Sequence, residues 1–232
     1  MTPSGNWTGK LAILRKGGRT PAGKPGVWSL IGAMLLVVLA AFGSSGTSAE
    51  QHTSDAENLV VTGRFEEAID RYSDAISLNP QLAAAYGGRA SVYNALEQYD
   101  LAIKDADQAI TVEPWAGIGY SHEGLALLYL GRFRQSREFL DQAIELNPNL
   151  ADAFNNRGLL SFKTNSFDRA IVDLDEAIRL DPRFALAYAN RAKTYTLVDQ
   201  DELAQWDFDR AVEFGLDPGP LELEIQILKQ NR

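Results

Sequence analysis

The feature of this sequence that most restricts its fold is a series of prolines at one constant interval. They are Pro80, Pro114, Pro148 and Pro182, and the interval does not drift. Proline cannot continue a helix, because it has no N–H to donate and its ring disfavours helix in the residue before it. The central part of the chain is therefore divided into units of equal length that each end at a proline.

Each unit has the pattern of two helices joined by a short turn. In residues 151–184, bulky and small residues recur at intervals of three and four from Phe154 to Ser161, and again from Phe167 to Ile178. This is the spacing of residues that share one face of a helix. The polar residues between the two segments form the turn. The unit is therefore predicted to be a helical hairpin.

Small residues recur at three positions of the unit. They are Ala56, Ala90, Gly124, Gly158 and Ala192; then Ala68, Ala102, Ser136, Ala170 and Ala204; and finally Ala75, Ala109, Ala143, Ala177 and Ala211. With the terminal proline and a period of about 34 residues, this pattern resembles the tetratricopeptide repeat. The resemblance implies an all-α, right-handed α-solenoid with a C-terminal capping helix. Its segments are five repeats, at 49–82, 83–116, 117–150, 151–184 and 185–218, and the cap at 219–232.

The sequence LELEIQILKQNR at the C-terminus fits two conformations. Its apolar residues alternate with polar ones, as in a strand, but Leu221, Ile225 and Leu228 also share one face of a helix. We predict the helix, as the cap of the array. Leu223 and Ile227 then lie on the opposite side, where they contact a partner or a second copy of the chain, or are incidental apolar surface.

The first 49 residues differ from the rest in charge and hydropathy. Residues 1–26 are polar, rich in glycine and proline and free of acidic residues, so we predict disorder. Residues 27–43 contain no charge, as in the apolar part of a signal peptide or in a transmembrane helix. Basic residues precede this segment and none closely follows, which predicts that the repeats are extracytoplasmic, in a bacterial periplasm.

Residues 44–49 determine whether the apolar segment is retained. They end in Thr47-Ser48-Ala49, a small-x-small pattern that a signal peptidase accepts. The leader before the apolar run is long for a signal peptide, however, and suits an uncleaved anchor equally well. Secretion after cleavage at Ala49 and membrane anchoring through 27–43 therefore both fit the sequence.

Charge and residue types argue against nucleic-acid binding, metal binding and catalysis. The net charge is −9, and the first 49 residues hold five basic and no acidic side chains, so the remainder carries −9 − 5 = −14. This charge repels nucleic acids and anionic lipids. The sequence has no cysteine, and its two histidines, His52 and His122, have no companion at a metal-ligand spacing. No catalytic residue, metal or cofactor is predicted.

Two sets of charged residues also recur along the repeats. The aspartate pairs Asp105/Asp107, Asp173/Asp175 and Asp207/Asp209 are two residues apart, about 200° around a helix. Such carboxylates diverge, and we expect them to be solvated at the surface. Arginines recur at one position, and we expect them in the packing between helices. They are Arg89, Arg157 and Arg191.

Stacked helix pairs that rotate by a constant angle curl the array, so that the first helices line an inner surface. The resemblance implies that this surface binds a peptide. By the same resemblance, the residues expected to line it are Asn94, His122, Tyr129, Asn155, Asn156, Phe162, Lys163, Asn190 and Lys193. Asparagine can bond both N–H and C=O of a peptide, and aromatic rings offer apolar contacts. We therefore expect a non-catalytic adaptor that binds an extended or helical segment of another protein. The alternative is a self-associating, membrane-anchored structural protein.

Overall fold

The structure is a computed structural model, and it describes residues 48–232. These residues form eleven α-helices and no strand, which confirms the predicted all-α solenoid. The first, α1, covers residues 48–61. The others are α2 (Phe65–Leu78), α3 (Ala83–Ala95), α4 (Tyr99–Val112), α5 (Gly117–Tyr129), α6 (Phe133–Leu146), α7 (Ala151–Lys163), α8 (Phe167–Leu180), α9 (Ala185–Leu197), α10 (Asp201–Glu213) and α11 (Pro218–Asn231).

The predicted N-terminal segments lie outside this range. The disordered region at 1–26, the apolar segment at 27–43 and the cleavage region at 44–49 as far as residue 47 are not among the described residues. From residue 48 onward, no helix combines the length and the hydropathy that crossing a bilayer requires.

Two kinds of turn join the helices, and both recur with the period of the sequence. Within each pair, the turn contains one residue with positive φ, at Gly63, Glu97, Gly131, Asn165 and Asp199. Between pairs, an Asn or Asp side chain accepts a hydrogen bond from the backbone N–H two residues later, at Asn79, Asn147 and Asp181. Such Asx turns end a helix just before a proline. The turn residues therefore fix the helix ends.

The two helices of a pair approach closely at the position of Gly158. A Cβ atom there would lie 2.8 Å from Cγ of Leu174 and 3.3 Å from the backbone oxygen of Ala170. Gly124 has the same relation to Leu140, whose Cγ would be 2.7 Å away. A small residue is needed because the leucine of the second helix fills this space. The core is therefore a narrow stripe of leucine and alanine between the first helices (α1, α3, α5, α7 and α9) and the second helices (α2, α4, α6, α8 and α10).

Helix α11 caps the C-terminal end, as predicted. Leu221 is buried and packs in one cluster with Tyr188, Ala189 and Ala211, and Ile225 is packed against the same cluster. Asp217 caps the helix by accepting a hydrogen bond from the backbone N–H of Gly219. The helix therefore covers the apolar face of α9 that would otherwise be exposed.

Arginines link successive pairs of helices. Arg191 of α9 donates two hydrogen bonds to Asp207 of α10, at 2.8 and 2.7 Å, and a third to Asp175 of α8, at 2.5 Å. The two equivalent residues bond likewise, Arg157 to Asp173 and Asp141, and Arg89 to Asp105 and Ser73. The prediction that these arginines lie in the packing between helices is confirmed.

The expectation that the paired aspartates are solvated is wrong for one member of each pair. The side chains of Asp105, Asp173 and Asp207 are buried, because each accepts two bonds from the arginine of its own helix pair. Asp175 instead bonds Arg191 of the next pair. The divergence of two such carboxylates, which prevents them from holding one ion, lets them bind arginines of two successive repeats.

The third repeat interrupts this series of ion pairs. Glu123 occupies the arginine position and faces Asp107, and Phe139 stands where the second, fourth and fifth repeats have aspartate. Glu123 is 6% exposed, and its buried Oε2 atom bonds to no group among residues 48–232. Burial, with a smaller contribution from Asp107, raises the pKa of Glu123 to about 8. This position therefore carries a carboxylic acid in place of a cation.

Replacing Glu123 by Gln should stabilise the chain at alkaline pH. The folded-state pKa lies above the unfolded value, so the unfolded chain ionises first and stability falls as pH rises from about 4.5 to about 8. We expect Glu123→Gln to raise the free energy of unfolding by on the order of 2 kcal/mol at about pH 8.5 and to have little effect near pH 4.5. Urea denaturation at both pH values measures this difference. Glu222→Gln, at an exposed glutamate of α11, is the control, and an equal effect of Glu123→Gln at both pH values would contradict the assignment.

Candidate protein-binding groove

The inner surface of the array contains two adjoining cavities, of about 470 and 340 Å³. They share residues of α5, α7 and α9, and α11 closes one end of the larger cavity. We call the surface formed by both cavities the groove. All nine residues predicted for the site line it. The larger cavity holds Tyr129, Asn155, Asn156, Phe162, Lys163, Asn190 and Lys193, and the smaller one Asn94 and His122 together with Tyr129, Asn155 and Asn156.

A chain of amide hydrogen bonds forms the floor of the groove. Asn190 Nδ2 donates to Asn155 Oδ1 at 2.9 Å, and Asn155 Nδ2 donates to Asn156 Oδ1 at 3.3 Å. Asn156 Nδ2 in turn donates to Ser121 Oγ at 3.2 Å. All four residues are buried, so these amides bond mainly to one another. These bonds join α5, α7 and α9. For the predicted binding of a peptide, the asparagines can use only the lone pairs and N–H groups that these bonds leave free.

Asn94 and His122 are placed differently. Asn94 Nδ2 donates to the backbone oxygen of His122 at 2.9 Å, while Asn94 Oδ1 is buried and accepts no bond from the described residues. That oxygen is enclosed by its surroundings and is not open to a ligand in this conformation. Burial lowers the pKa of His122 to about 4, so its imidazole is neutral at pH 7 and offers one donor and one acceptor.

Apolar contacts in the groove come from three exposed side chains, Tyr129, Leu186 and Ile227. The ring of Tyr129 is stacked on that of Tyr99, with centroids 5.2 Å apart and planes 7° apart, and Tyr129 remains 48% exposed. Leu186 is 52% exposed and lines both cavities. Phe162 is half-buried and packs against the core. Ile227 of α11 is 48% exposed and lines the larger cavity, so Tyr129, Leu186 and Ile227 offer the most accessible apolar surface of the groove.

The charges of the groove are unevenly distributed. Lys163 is exposed, and no carboxylate of residues 48–232 lies within 4.0 Å of it. Lys193, by contrast, pairs with Glu224 of α11 at 3.2 Å. The smaller cavity is lined by Glu97 and by Asp152, whose pKa burial and the nearby Asp181 raise. Among the described residues, the larger cavity thus has the unpaired cation of Lys163, and the smaller cavity has the carboxylates of Glu97 and Asp152.

Several lining residues were not among those predicted from the sequence. Leu186 stands at the position that Asp152 takes in the preceding repeat, so the register could have indicated it. Glu224, Ile227 and Leu228 belong to α11, which has no counterpart in the repeat pattern. Only the docking of the cap against α9 brings these three residues to the groove.

The described residues contain no set of metal-ligating side chains. Among residues 48–232, no three His, Asp or Glu side chains are grouped closely enough to hold a metal ion. The groups that line the groove are hydrogen-bonding amides, apolar side chains and separate charges.

Comparison with known proteins identifies the family. The profile of the tetratricopeptide repeat matches residues 56–117 and 123–183, more than half of the chain. The chain belongs to the tetratricopeptide repeat family. Proteins of this family mediate interactions between proteins and are generally non-catalytic.

Curated proteins resemble this tetratricopeptide-repeat chain over short segments. A FAM10 family protein of Arabidopsis thaliana is 51% identical over 45 residues, which cover 19% of this chain and 10% of that protein. The TPR repeat-containing thioredoxin TDX of the same plant is 39% identical over 59 residues, covering 25% and 16%. Small glutamine-rich tetratricopeptide repeat-containing protein 2 of Saccharomyces cerevisiae is 37% identical over 59 residues, covering 22% and 17%. The chain thus spans less than a fifth of each relative.

Solved structures share the fold over most of the chain. TTC0263, a TPR protein of Thermus thermophilus, has a TM-score of 0.64 at 20% identity and covers 79% of this chain and 98% of its own. The structure of the APC/C hetero-tetramer Cut9–Hcn1 has a TM-score of 0.70 at 17% identity, and the match covers 79% of this chain and 37% of that chain. PilW, a type IV pilus biogenesis factor, has a TM-score of 0.61 at 24% identity, and the match covers 79% of this chain and 86% of that chain. At these identities the likeness shows the fold alone.

Proposed function

We propose that this tetratricopeptide-repeat protein is a non-catalytic adaptor that binds an extended or helical segment of another protein in its groove. One observation carries the proposal: apolar, hydrogen-bonding and charged groups that are open to a ligand meet on one surface. They are Tyr129, Leu186, the imidazole of His122 and the ammonium group of Lys163. Family membership supports the same role.

The distribution of charge indicates which segments fit best. An acidic side chain or a terminal carboxylate is attracted to Lys163, whereas Glu97 and Asp152 favour a basic side chain at the other cavity. Tyr129 lines both cavities and can contact an apolar side chain between the two charges. We therefore expect ligands with a central apolar residue and opposite charges on its two sides.

Two leucine substitutions with matched chemistry test the groove. Leu186 in the groove and Leu203 on α10 are 52% and 48% exposed, and Leu203 lines neither cavity. Peptides selected from a random display library against the full chain would be measured by fluorescence anisotropy. We expect Leu186→Glu to weaken binding by about tenfold or more, because it places a charge on an apolar contact, and Leu203→Glu to stay within about twofold.

Circular dichroism of both variants controls for folding. The groove assignment would be contradicted if Leu186→Glu bound selected peptides as tightly as the wild type, or if both substitutions weakened binding equally.

We also propose that the repeats function on the extracytoplasmic side of a membrane, in a bacterial periplasm. The support lies in the sequence, where basic residues precede the uncharged segment at 27–43 and small residues precede Glu50. N-terminal sequencing of the chain from its native cells is the test. A start at Glu50 indicates secretion, and an intact Met1 in the membrane fraction indicates an anchor. An intact Met1 in the cytosolic fraction would refute export.

Self-association is the second candidate function. Leu223 and Ile227 of α11 are 58% and 48% exposed, and Ile227 lies at the edge of the groove. Multi-angle light scattering distinguishes the two functions. The adaptor proposal predicts a monomer at micromolar concentration, while a dimer that Leu223→Glu with Ile227→Glu converts to monomer would favour self-association.

A further inference from the structure

The fourth repeat lacks an aromatic ring that the second and fifth repeats have. In the fifth repeat this ring is that of Tyr195. Arg191 lies between the rings of Tyr195 and Tyr188, and its guanidinium carbon is 5.7 Å from the first centroid and 5.6 Å from the second. Tyr93, at the same position of the second repeat, has its ring centroid 6.0 Å from the guanidinium carbon of Arg89. In the fourth repeat this position is occupied by Ser161.

Arg157 therefore has an aromatic ring on one side. Its guanidinium carbon lies 5.6 Å from the ring centroid of Phe154, the counterpart of Tyr188. On the other side, where Tyr195 lies in the fifth repeat, the chain supplies a serine. The hydroxyl of Ser161 is fully buried and makes no hydrogen bond with any group of residues 48–232.

A cavity of about 350 Å³ adjoins this position. We call it the Ser161 slot, and its lining residues come from α6, α7 and α8. They are Arg137, Arg157, Ser161, Asp168, Arg169, Val172 and Asp173. None of them lines the groove. Ser161 and the groove residue Leu159 are two positions apart on α7, about 200° around the helix, so the slot and the groove open on different sides.

The rim of the slot carries two arginines at positions where several other repeats have apolar residues. Arg137 stands where three other repeats have isoleucine, at Ile69, Ile103 and Ile171. Arg169 stands where the second and fifth repeats have leucine. No carboxylate of residues 48–232 lies within 4.0 Å of either arginine, and Arg157 is already paired with Asp141 and Asp173. Among the residues that line the slot, the unpaired cations are thus Arg137 and Arg169, and the unpaired carboxylate is that of Asp168.

We propose that the Ser161 slot binds an aromatic side chain of a partner protein that carries an acidic group beside it. The ring lies against the guanidinium of Arg157, whose side chain is 23% exposed where that of Arg191 is 13% exposed, on the side where Tyr195 lies beside Arg191. The acidic group meets Arg137 and Arg169, and the exposed side chain of Val172 contacts the edge of the ring. This second site is independent of the groove.

N-acetyl-L-tyrosine, which has a phenol ring and one carboxylate, is the probe. Titrated into the ¹⁵N-labelled full chain, it should shift the backbone amide resonances of residues 161, 169 and 172 in a saturable manner. N-acetyl-L-leucine keeps the charge and lacks the ring, so we expect binding about three- to fivefold weaker. N-acetyl-L-tyrosine amide keeps the ring and lacks the charge, so we expect binding about two- to fivefold weaker.

Ser161→Tyr tests the slot from inside the chain. If the slot is the counterpart of the Tyr195 site, the new ring should fill it, raise the melting temperature and abolish the shifts. Arg137→Gln with Arg169→Gln provides a second test that leaves the core intact, and it should remove the preference for the acid over the amide. Leu186→Glu in the groove should bind the probe as the wild type does.

Three results would overturn the proposal. The first is a set of shifts centred on the groove residues Tyr129 and Leu186. The second is unchanged probe binding by a folded Ser161→Tyr variant, and the third is an undiminished preference for the acid in the double arginine variant. Should Ser161→Tyr fail to fold, the slot is not the counterpart of the Tyr195 site, and the proposal fails.

Discussion

At three of the four junctions between the repeats of residues 48–232, successive repeats are joined by an arginine that bonds to two helices at once. In the fourth and fifth repeats, Arg157 and Arg191 each hold a buried aspartate of their own helix pair and an exposed aspartate of the preceding pair. Removing one partner of a buried pair costs about 3–5 kcal/mol, whereas an exposed pair contributes about 0–1 kcal/mol. The buried bonds therefore fix the orientation of the guanidinium, and the weaker exposed bonds connect it to the preceding repeat.

The shape of the groove depends on the offset between neighbouring repeats, because in a solenoid each repeat contacts only its neighbours. The arginine bonds lie on one side of the first helices, and the hydrogen bonds from Asn190 through Asn155 and Asn156 to Ser121 lie on the other. Polar contacts thus hold α7 and α9 from both sides, with small residues between them. At Glu123 the arginine is missing, so the second and third repeats are the one neighbouring pair within residues 48–232 that no arginine bond joins.

The sequence predicts the parts of this architecture that follow from period alone. The prolines, turn residues and small residues define the helix pairs, and the repeat register assigns residues such as Tyr129 and Lys163 to the inner surface. Contacts between helices depend on distances that a period does not supply. That asparagines bond one another, that Asp207 is buried by Arg191, and that Glu224 neutralises Lys193 follow only when the helices and the cap are packed together.

The claim on which the account rests is that the first helices present a surface for a polypeptide. Amide hydrogen exchange of the full chain, with and without a library-selected peptide, tests it most directly, because a bound segment slows exchange in the helices that it covers. The account predicts added protection in α5, α7 and α9 and unchanged exchange in α6, α8 and α10. Added protection confined to the second helices would contradict it.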